Sequence, residues 1–262
     1  MRLFIFEGPA DKNLFDTLKR LYFGQSDDDV CVYNSSIYSL YSKMNQYAFS
    51  DVGNYGETLT ILNDILLEKG DSSLDEIVNS DKEVSEVYLF FDYDFQDDRH
   101  SLEENNVHIQ ELLDFFVDET ENGKLYISYP MLEAYRHIKS LPDDNFNGYT
   151  ITRQECTGYK KYVGEFTKIQ PGKFALTEKE WNKPGFFEKR EPDLKKNWNL
   201  LIPMNVRKAN MICNNINEMP HNKEDISQQK IFEGQIDKYV NKNPCSVAVL
   251  SSFPIFIYEY LK

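Results

Sequence analysis

The stretch Val84-Ser85-Glu86-Val87-Tyr88-Leu89-Phe90-Phe91-Asp92-Tyr93-Asp94 decides how the chain is read. An unbroken Val/Tyr/Leu/Phe run is the pattern of a strand buried on both faces, as in a parallel sheet, since alternation vanishes when neither face meets water. The run ends abruptly in two carboxylates at i and i+2. On a strand those positions point to one side, so Asp92 and Asp94 are expected to share a face at the strand's carboxyl end. Ligands of open α/β sheets bind at that end. Carboxylates so close repel unless a cation intervenes, and hard oxygen donors suit Mg²⁺ or Mn²⁺. A strand that simply leaves the core and meets water has the same pattern, and the motif alone does not choose.

Working outward, Arg2-Leu3-Phe4-Ile5-Phe6 reads as a second apolar strand and Glu7-Gly8-Pro9 as the turn that stops it. Pro9 has no N–H for a ladder, and Gly8 admits unusual backbone angles. Asp11 reads as the N-cap of a helix over 12–23, where Leu14, Phe15, Leu18, Leu21 and Tyr22 recur at helical spacing. Glu7 and Asp11 can face one point beyond the sheet edge; for Asp11, a carboxylate that only favours the positive helix end is the simpler reading. A short strand is expected over 29–34, helices over 35–47 and 58–69, a polar loop over 50–56 and an acidic loop or short helix over 71–84. Beyond Asp94, Asp97 and Asp98 fall in a polar loop. Ser101-x-x-Glu104 is a capping box that opens a helix to about Asp118, with Val107, Ile109, Leu112, Leu113 and Phe116 on its buried side. His100 and His108 have no partner at ligand spacing and read as surface or loop residues. A strand over 123–129 leads through Pro130 into a helix over 131–140. Glu133, early in that helix, is either a favourable helix-end charge or a further carboxylate of the site. The order β-α-β-α-α-β-α-β-α predicts an α/β fold with a mainly parallel sheet flanked by helices.

Phe4-Ile5-Phe6-Glu7-Gly8 followed by Leu89-Phe90-Phe91-Asp92-Tyr93-Asp94 resembles the two motifs of TOPRIM domains, in their order. The extra acid at Asp11, four after Glu7, is similar to the nuclease branch typified by the overcoming-lysogenisation-defect (OLD) enzymes. The stretches 125–133 and 249–256 also resemble TOPRIM effectors of bacterial anti-phage defence, including that of the PARIS system. The resemblance covers residues 1–140. It implies a TOPRIM-like fold, Mg²⁺ or Mn²⁺ held by Glu7, Asp11, Asp92 and Asp94, and Glu133 as a further catalytic candidate. It also implies a toxic effector working beside an ABC-type ATPase. The sequence has no Gly-x-x-x-x-Gly-Lys phosphate loop, so that ATPase is expected on a separate chain.

Charge divides the chain. Residues 1–133 carry 28 acidic and 9 basic side chains, whereas 134–262 carry 15 acidic and 20 basic. Hence 1–145 reads as an acidic TOPRIM-like core and 146–262 as a basic, aromatic-rich region for substrate or partner, largely helical, with 141–148 as the linker between them. Across 153–208 there are 13 basic and 7 acidic residues interleaved with Tyr159, Tyr162, Phe166, Phe174, Trp181, Phe186, Phe187 and Trp198. These are the ingredients of single-stranded nucleic-acid binding, or of an ordinary surface whose aromatics fill its own core. Helices are expected over 199–215, 226–240 and 253–261, the last amphipathic, with a strand over 246–251.

Composition excludes several classes. Aromatics at 14% supply a core, so disorder is excluded. Cys31, Cys156, Cys213 and Cys245 are scattered without a Cys-x-x-Cys pair, against a zinc or disulfide framework and for a cytoplasmic location. No apolar run is long enough to span a membrane. The expected activity is therefore Mg²⁺-dependent hydrolysis of RNA (tRNA included) or DNA, with Glu7 also a candidate general base and a homodimer left open. The rival expectation is a non-catalytic TOPRIM-like module whose acidic first part docks on a basic partner.

Overall fold

A computed structural model describes residues 1–24, 28–46, 55–79 and 83–261. Most of the polar loop expected over 50–56 lies outside them. The elements run β1 (Arg2–Phe6), α1 (Pro9–Leu18), β2 (Asp28–Val32), α2 (Ile37–Gln46), α3 (Tyr55–Glu68), α4 (Asp75–Val78), β3 (Glu86–Asp92), α5 (Leu102–Phe115), β4 (Val117–Asp118) and β5 (Gly123–Ser128). They continue β6 (Thr150–Thr152), α6 (Arg153–Cys156), α7 (Tyr159–Phe166), α8 (Glu178–Trp181), α9 (Phe186–Asn214), α10 (Gln228–Gln235), β7 (Ser246–Ala248) and α11 (Ser252–Tyr260). Two compact units emerge: Met1–Lys12, Ser26–Phe91 and Asp98–Tyr126 form the first, and Asn13–Gln25, Asp92–Asp97 and Ile127–Lys262 the second.

The first unit is built on a five-stranded, mainly parallel sheet in the order β2-β1-β3-β5-β4. β1 pairs in parallel with β2, Phe6 opposite Val32, and with β3, Phe6 opposite Phe90; β4 runs antiparallel to β5. Val87 to Phe91 are all buried, as an alternation-free run requires. Stacking of Phe4 on Tyr88 at 5.1 Å and contact of Phe6 with Phe90 at 5.2 Å join the two apolar strands. Each such side chain contributes about 1.5–3 kcal/mol by leaving water. Helix α5 begins where the capping box said: Ser101 Oγ accepts from Glu104 N, and the Glu104 carboxylate accepts from Ser101 N at 2.9 Å. It ends at Phe115, earlier than expected, because the chain turns into β4. Val107 is 54% exposed rather than buried, on the solvent side of the helix. Tyr41 of α2 donates to Glu111 of α5 at 2.6 Å, closing that layer.

In the second unit, β6 and β7 make a small antiparallel pair with Ile151 opposite Val247. Helix α9 starts 13 residues before the position expected and runs through Pro192 and Pro203. A proline inside a helix costs roughly 3 kcal/mol, but burial of Phe187, Leu194, Trp198, Leu201, Met204 and Ile212 along one side outweighs it. Trp198 Nε1 donates to Phe174 O at 2.8 Å, so that aromatic pair is core. α11 is a core helix rather than amphipathic, with Phe253, Ile255, Phe256 and Ile257 buried. The helix expected over 131–140 is only a 3₁₀ turn, Leu132–Arg136. The expected linker 141–148 is a tight turn organised by buried Asp143. Its carboxylate accepts from Lys139 N at 2.7 Å, Asn145 N at 3.0 Å and the Tyr149 hydroxyl at 3.0 Å. Among the described residues no helix is long and apolar enough to cross a membrane.

Candidate functional site

The first unit places Glu7 at the end of β1. Its N–H donates to Phe90 O at 3.0 Å, and Tyr33 N donates to Phe6 O at 2.7 Å, so the parallel ladder extends one residue past the strand. Phe90 lies two residues before Asp92 in the chain. Glu7 is half-buried. Asp11 is not an N-cap: α1 begins at Pro9, a residue suited to a first turn, which puts Asp11 in that turn. Asp11 is only 6% exposed. Its Oδ2 lies 3.6 Å from where a Cβ on Gly8 would sit, so the carboxylate folds back over the glycine. Gly8 does not use a left-handed conformation; an unusual angle is not its role.

The second unit holds Asp92, Asp94 and Glu133. Burial alternates through the segment: Phe91, Tyr93 and Phe95 are buried, while Asp92 and Asp94 are half-buried. Tyr93 is the anchor. Its N–H donates to Ser128 O at 3.0 Å, and its ring packs on Phe95, Tyr129 and Phe232. The strand itself stops at Asp92, and Asp94 has φ +48°, a left-handed conformation that Asp tolerates better than most residues. A turn therefore sets Asp94, not strand pleating. Asp94 N donates to Pro130 O at 3.2 Å, Asp97 N donates to Asp94 O at 2.8 Å, and Gln96 Nε2 donates to Asp94 Oδ1 at 3.0 Å. Arg153 clamps the same turn from α6, its Nε donating to Phe95 O at 3.0 Å and its other arm to Asp97 O.

Glu133 sits half-buried in the 3₁₀ turn, 3.6 Å from Lys160 Nζ on α7. With one short turn in place of a helix, the helix-end reading of Glu133 loses its basis. Tyr159, beside Lys160, is buried and shares a 2.8 Å hydrogen bond with His137 Nδ1. Burial pushes the Tyr159 phenol well above its ordinary range, and the fields of Cys156, Glu133, Tyr162 and Asp92 add to it. Asp92 and Glu133 thus both act electrostatically on one hydroxyl. Burial lowers His137 to about 4, with the Lys208 ammonium second, so its ring is neutral near pH 7. Lys208 is itself buried, donating to Phe146 O at 2.8 Å and Tyr149 O at 2.7 Å; burial holds it well below the usual lysine range.

Sequence reasoning missed His137 and Arg153, and it counted Tyr159 only among the aromatics of 153–208, without its bond to His137. His137 and Arg153 lie outside any motif. His100 is exposed in its loop and His108 is half-buried on α5, where it stacks on Tyr41 at 3.9 Å and meets the edge of His100 at 5.3 Å. Among the described residues, no three His, Cys, Asp or Glu side chains are grouped so as to hold a metal ion. The donor chemistry nevertheless suits Mg²⁺ or Mn²⁺, because the candidates are carboxylates. Mg²⁺ commonly takes one or two protein carboxylates and fills its shell with water and substrate phosphate oxygens. No protein-family model matches the chain, and no curated protein or solved structure matches it.

Proposed function

We propose that the chain is a metal-dependent phosphodiesterase that cleaves nucleic acid, using Glu7, Asp11, Asp92 and Asp94 with Glu133 as a further carboxylate. The observation that carries this reading is the parallel pairing of β1 with β3, closed by Glu7 N–H on Phe90 O. Both acid-bearing segments leave the sheet at its carboxyl edge, the ligand edge of such folds. When bound, Mg²⁺ or Mn²⁺ would supply an activated water and offset charge on the phosphoryl oxygens. The chain's own part is to present hard oxygen donors. Asp92 ends the buried strand, Asp94 is held by its turn, and Glu7 is half-buried just past β1. Lys160 beside Glu133 and the basic stretch of α7 to α9 would draw a polyanion toward carboxylates that otherwise repel it. RNA, tRNA included, and DNA are both candidate substrates. As a defence effector, the chain would act with a separate ABC-type ATPase, and a homodimer is compatible with this reading.

The deciding experiment incubates purified wild type, Glu7→Gln and Asp92→Asn with single- and double-stranded RNA and DNA, with Mg²⁺ or Mn²⁺, and repeats the series with a partner ATPase. Cleavage by wild type that both variants lose supports the reading. Cleavage that survives in both variants, or that wild type never shows in any arm, sinks it. The absence of a three-ligand group among the described residues favours a second reading, a TOPRIM-shaped docking module without catalysis. Mn²⁺ titration by calorimetry separates the two, since a docking module needs no binding that depends on Asp92 and Asp94.

A further inference from the structure

Residues Asp94 to Asp97 form a four-residue turn closed by Asp97 N–H on Asp94 O at 2.8 Å, with Phe95 buried at its second position and Gln96 half-buried at its third. The Gln96 side chain curls back along the turn, and its Nε2 donates to Asp94 Oδ1 at 3.0 Å. An ionised carboxylate only accepts, so this contact decides which end of the amide is which: the NH₂ group meets Asp94, and the oxygen takes the other side. That oxygen, Oε1, is buried and accepts no hydrogen bond among the described residues. Buried amide oxygens nearly always have a partner, because one without it has given up its hydration for nothing. The donors of this turn are directed elsewhere. Asp94 N donates to Pro130 O, Asp97 N to Asp94 O, and Arg153 to Phe95 O and Asp97 O.

The chemistry around this oxygen favours a cation. Asp92, Asp94, Asp97 and Asp98 place four carboxylates within seven residues, with no basic residue among them. Mg²⁺ sits about 2.0–2.1 Å from its oxygen ligands, nearer than a water approaches an acceptor, so an oxygen closed to solvent is not thereby closed to the ion. We infer that Gln96 belongs to the cation site of this turn: its Nε2 fixes the Asp94 carboxylate, and its Oε1 is a neutral oxygen donor for the same Mg²⁺ or Mn²⁺. The role given to Gln96 rests on the metal reading of Asp92 and Asp94 and adds a donor to it. An amide suits both states of such a site. Without the ion it holds Asp94 by an N–H and adds no charge to carboxylates that already repel one another. With the ion its oxygen contributes a ligand, as side-chain carbonyls do for hard cations. A glutamate in its place would lack the N–H and would add to the repulsion.

The test is calorimetric titration of the full chain with Mn²⁺, beside thermal unfolding of the same proteins in EDTA, for wild type, Gln96→Met, Gln96→Glu and Asp92→Asn. Methionine keeps the unbranched shape and removes both polar ends, and Gln96→Met should weaken Mn²⁺ binding by about ten-fold or more. Gln96→Glu keeps an oxygen donor but loses the bond to Asp94. It should lower the Tm in EDTA, where the carboxylates face one another uncompensated, yet bind Mn²⁺ at least as tightly as wild type. These opposite movements are the signature of a ligand, since a residue that only props Asp94 would lose Mn²⁺ affinity in both variants. A Gln96→Met protein with the affinity of wild type, as expected if water alone meets Oε1, or a Gln96→Glu protein that binds Mn²⁺ more weakly, overturns the inference. Should Gln96→Met fail to fold, Gln96→Glu decides by itself. If Mn²⁺ binding depends on Asp92 but not on Gln96, the role of Gln96 falls and the metal reading stands. A wild type that binds no Mn²⁺ sinks both. Binding that depends on Gln96 without cleavage of any nucleic acid overturns only the hydrolase reading.

Discussion

The Tyr159 hydroxyl and His137 Nδ1 share a 2.8 Å hydrogen bond in the interior of the second unit, with Lys208, Asp143 and Glu155 acting on the histidine. Burial is the main cause of its lowered pKa, which makes the pair a probe of pH. An unfolded histidine titrates at its ordinary value of 6.5, the folded one at about 4. Between those values the unfolded chain binds more protons, so stability rises with pH across the window and is lost as pH falls through it. Between pH 7 and pH 5 this group alone should remove about 2 kcal/mol. Urea unfolding of wild type and His137→Phe at both pH values should show that share of the pH dependence in wild type only. Equal pH dependence in the two proteins would contradict it.

Arg153 holds the turn that carries Asp94 through Phe95 O and Asp97 O. Lysine cannot make this forked contact. If the proposed metal binding is correct, Arg153→Lys should weaken Mn²⁺ affinity by about ten-fold, the size of effect expected when the support behind a ligand is removed. Calorimetric titration reads it, and an unchanged Kd would free Arg153 from that role.

Gly234 of α10 lies against α9, where a Cβ would come within 2.6 Å of Ile212 O and 2.8 Å of the Ile212 side chain. The nearest obstacle is backbone and cannot swing aside. Gly234→Ala should therefore destabilise the protein by roughly 1–3 kcal/mol despite alanine's better helix propensity. A Tm at or above that of wild type would show that the helices have room to part.

Ser101 caps α5 through the reciprocal bonds with Glu104. Ser101→Ala should cost about 1 kcal/mol, and Ser101→Asp should recover most of it. Denaturant midpoints of the three proteins provide the comparison; equal midpoints would mean that tertiary contacts alone hold that helix end.

Much of the first unit was legible because its signals are local. An apolar run with no alternation means a strand covered on both faces, and Val87–Phe91 is one. Ser101 and Glu104 bond within a single helical turn, so their spacing was sufficient. Where a boundary depends on distant partners, sequence misled. The helix expected from residue 199 starts at Phe186 instead, and the burial of Phe187, Leu194, Trp198 and Leu201 explains why α9 runs through Pro192 and Pro203. Residues 131–140 have helical composition but make a single 3₁₀ turn, after which the backbone at Lys139 donates to Asp143 instead of continuing a helix. Glu7 and Asp92 could be placed from sequence because chain order puts them at the ends of β1 and β3, whereas Asp11 proved to lie in the first turn of α1. The left-handed turn at Asp94, the Arg153 clamp and the Tyr159–His137 bond could not, as each depends on residues tens of positions away. The same holds for the aromatics of 153–208. Composition alone does not tell a partly exposed aromatic from a core one, and packing decided it, enclosing Trp198 and leaving Tyr162 and Phe166 half-buried.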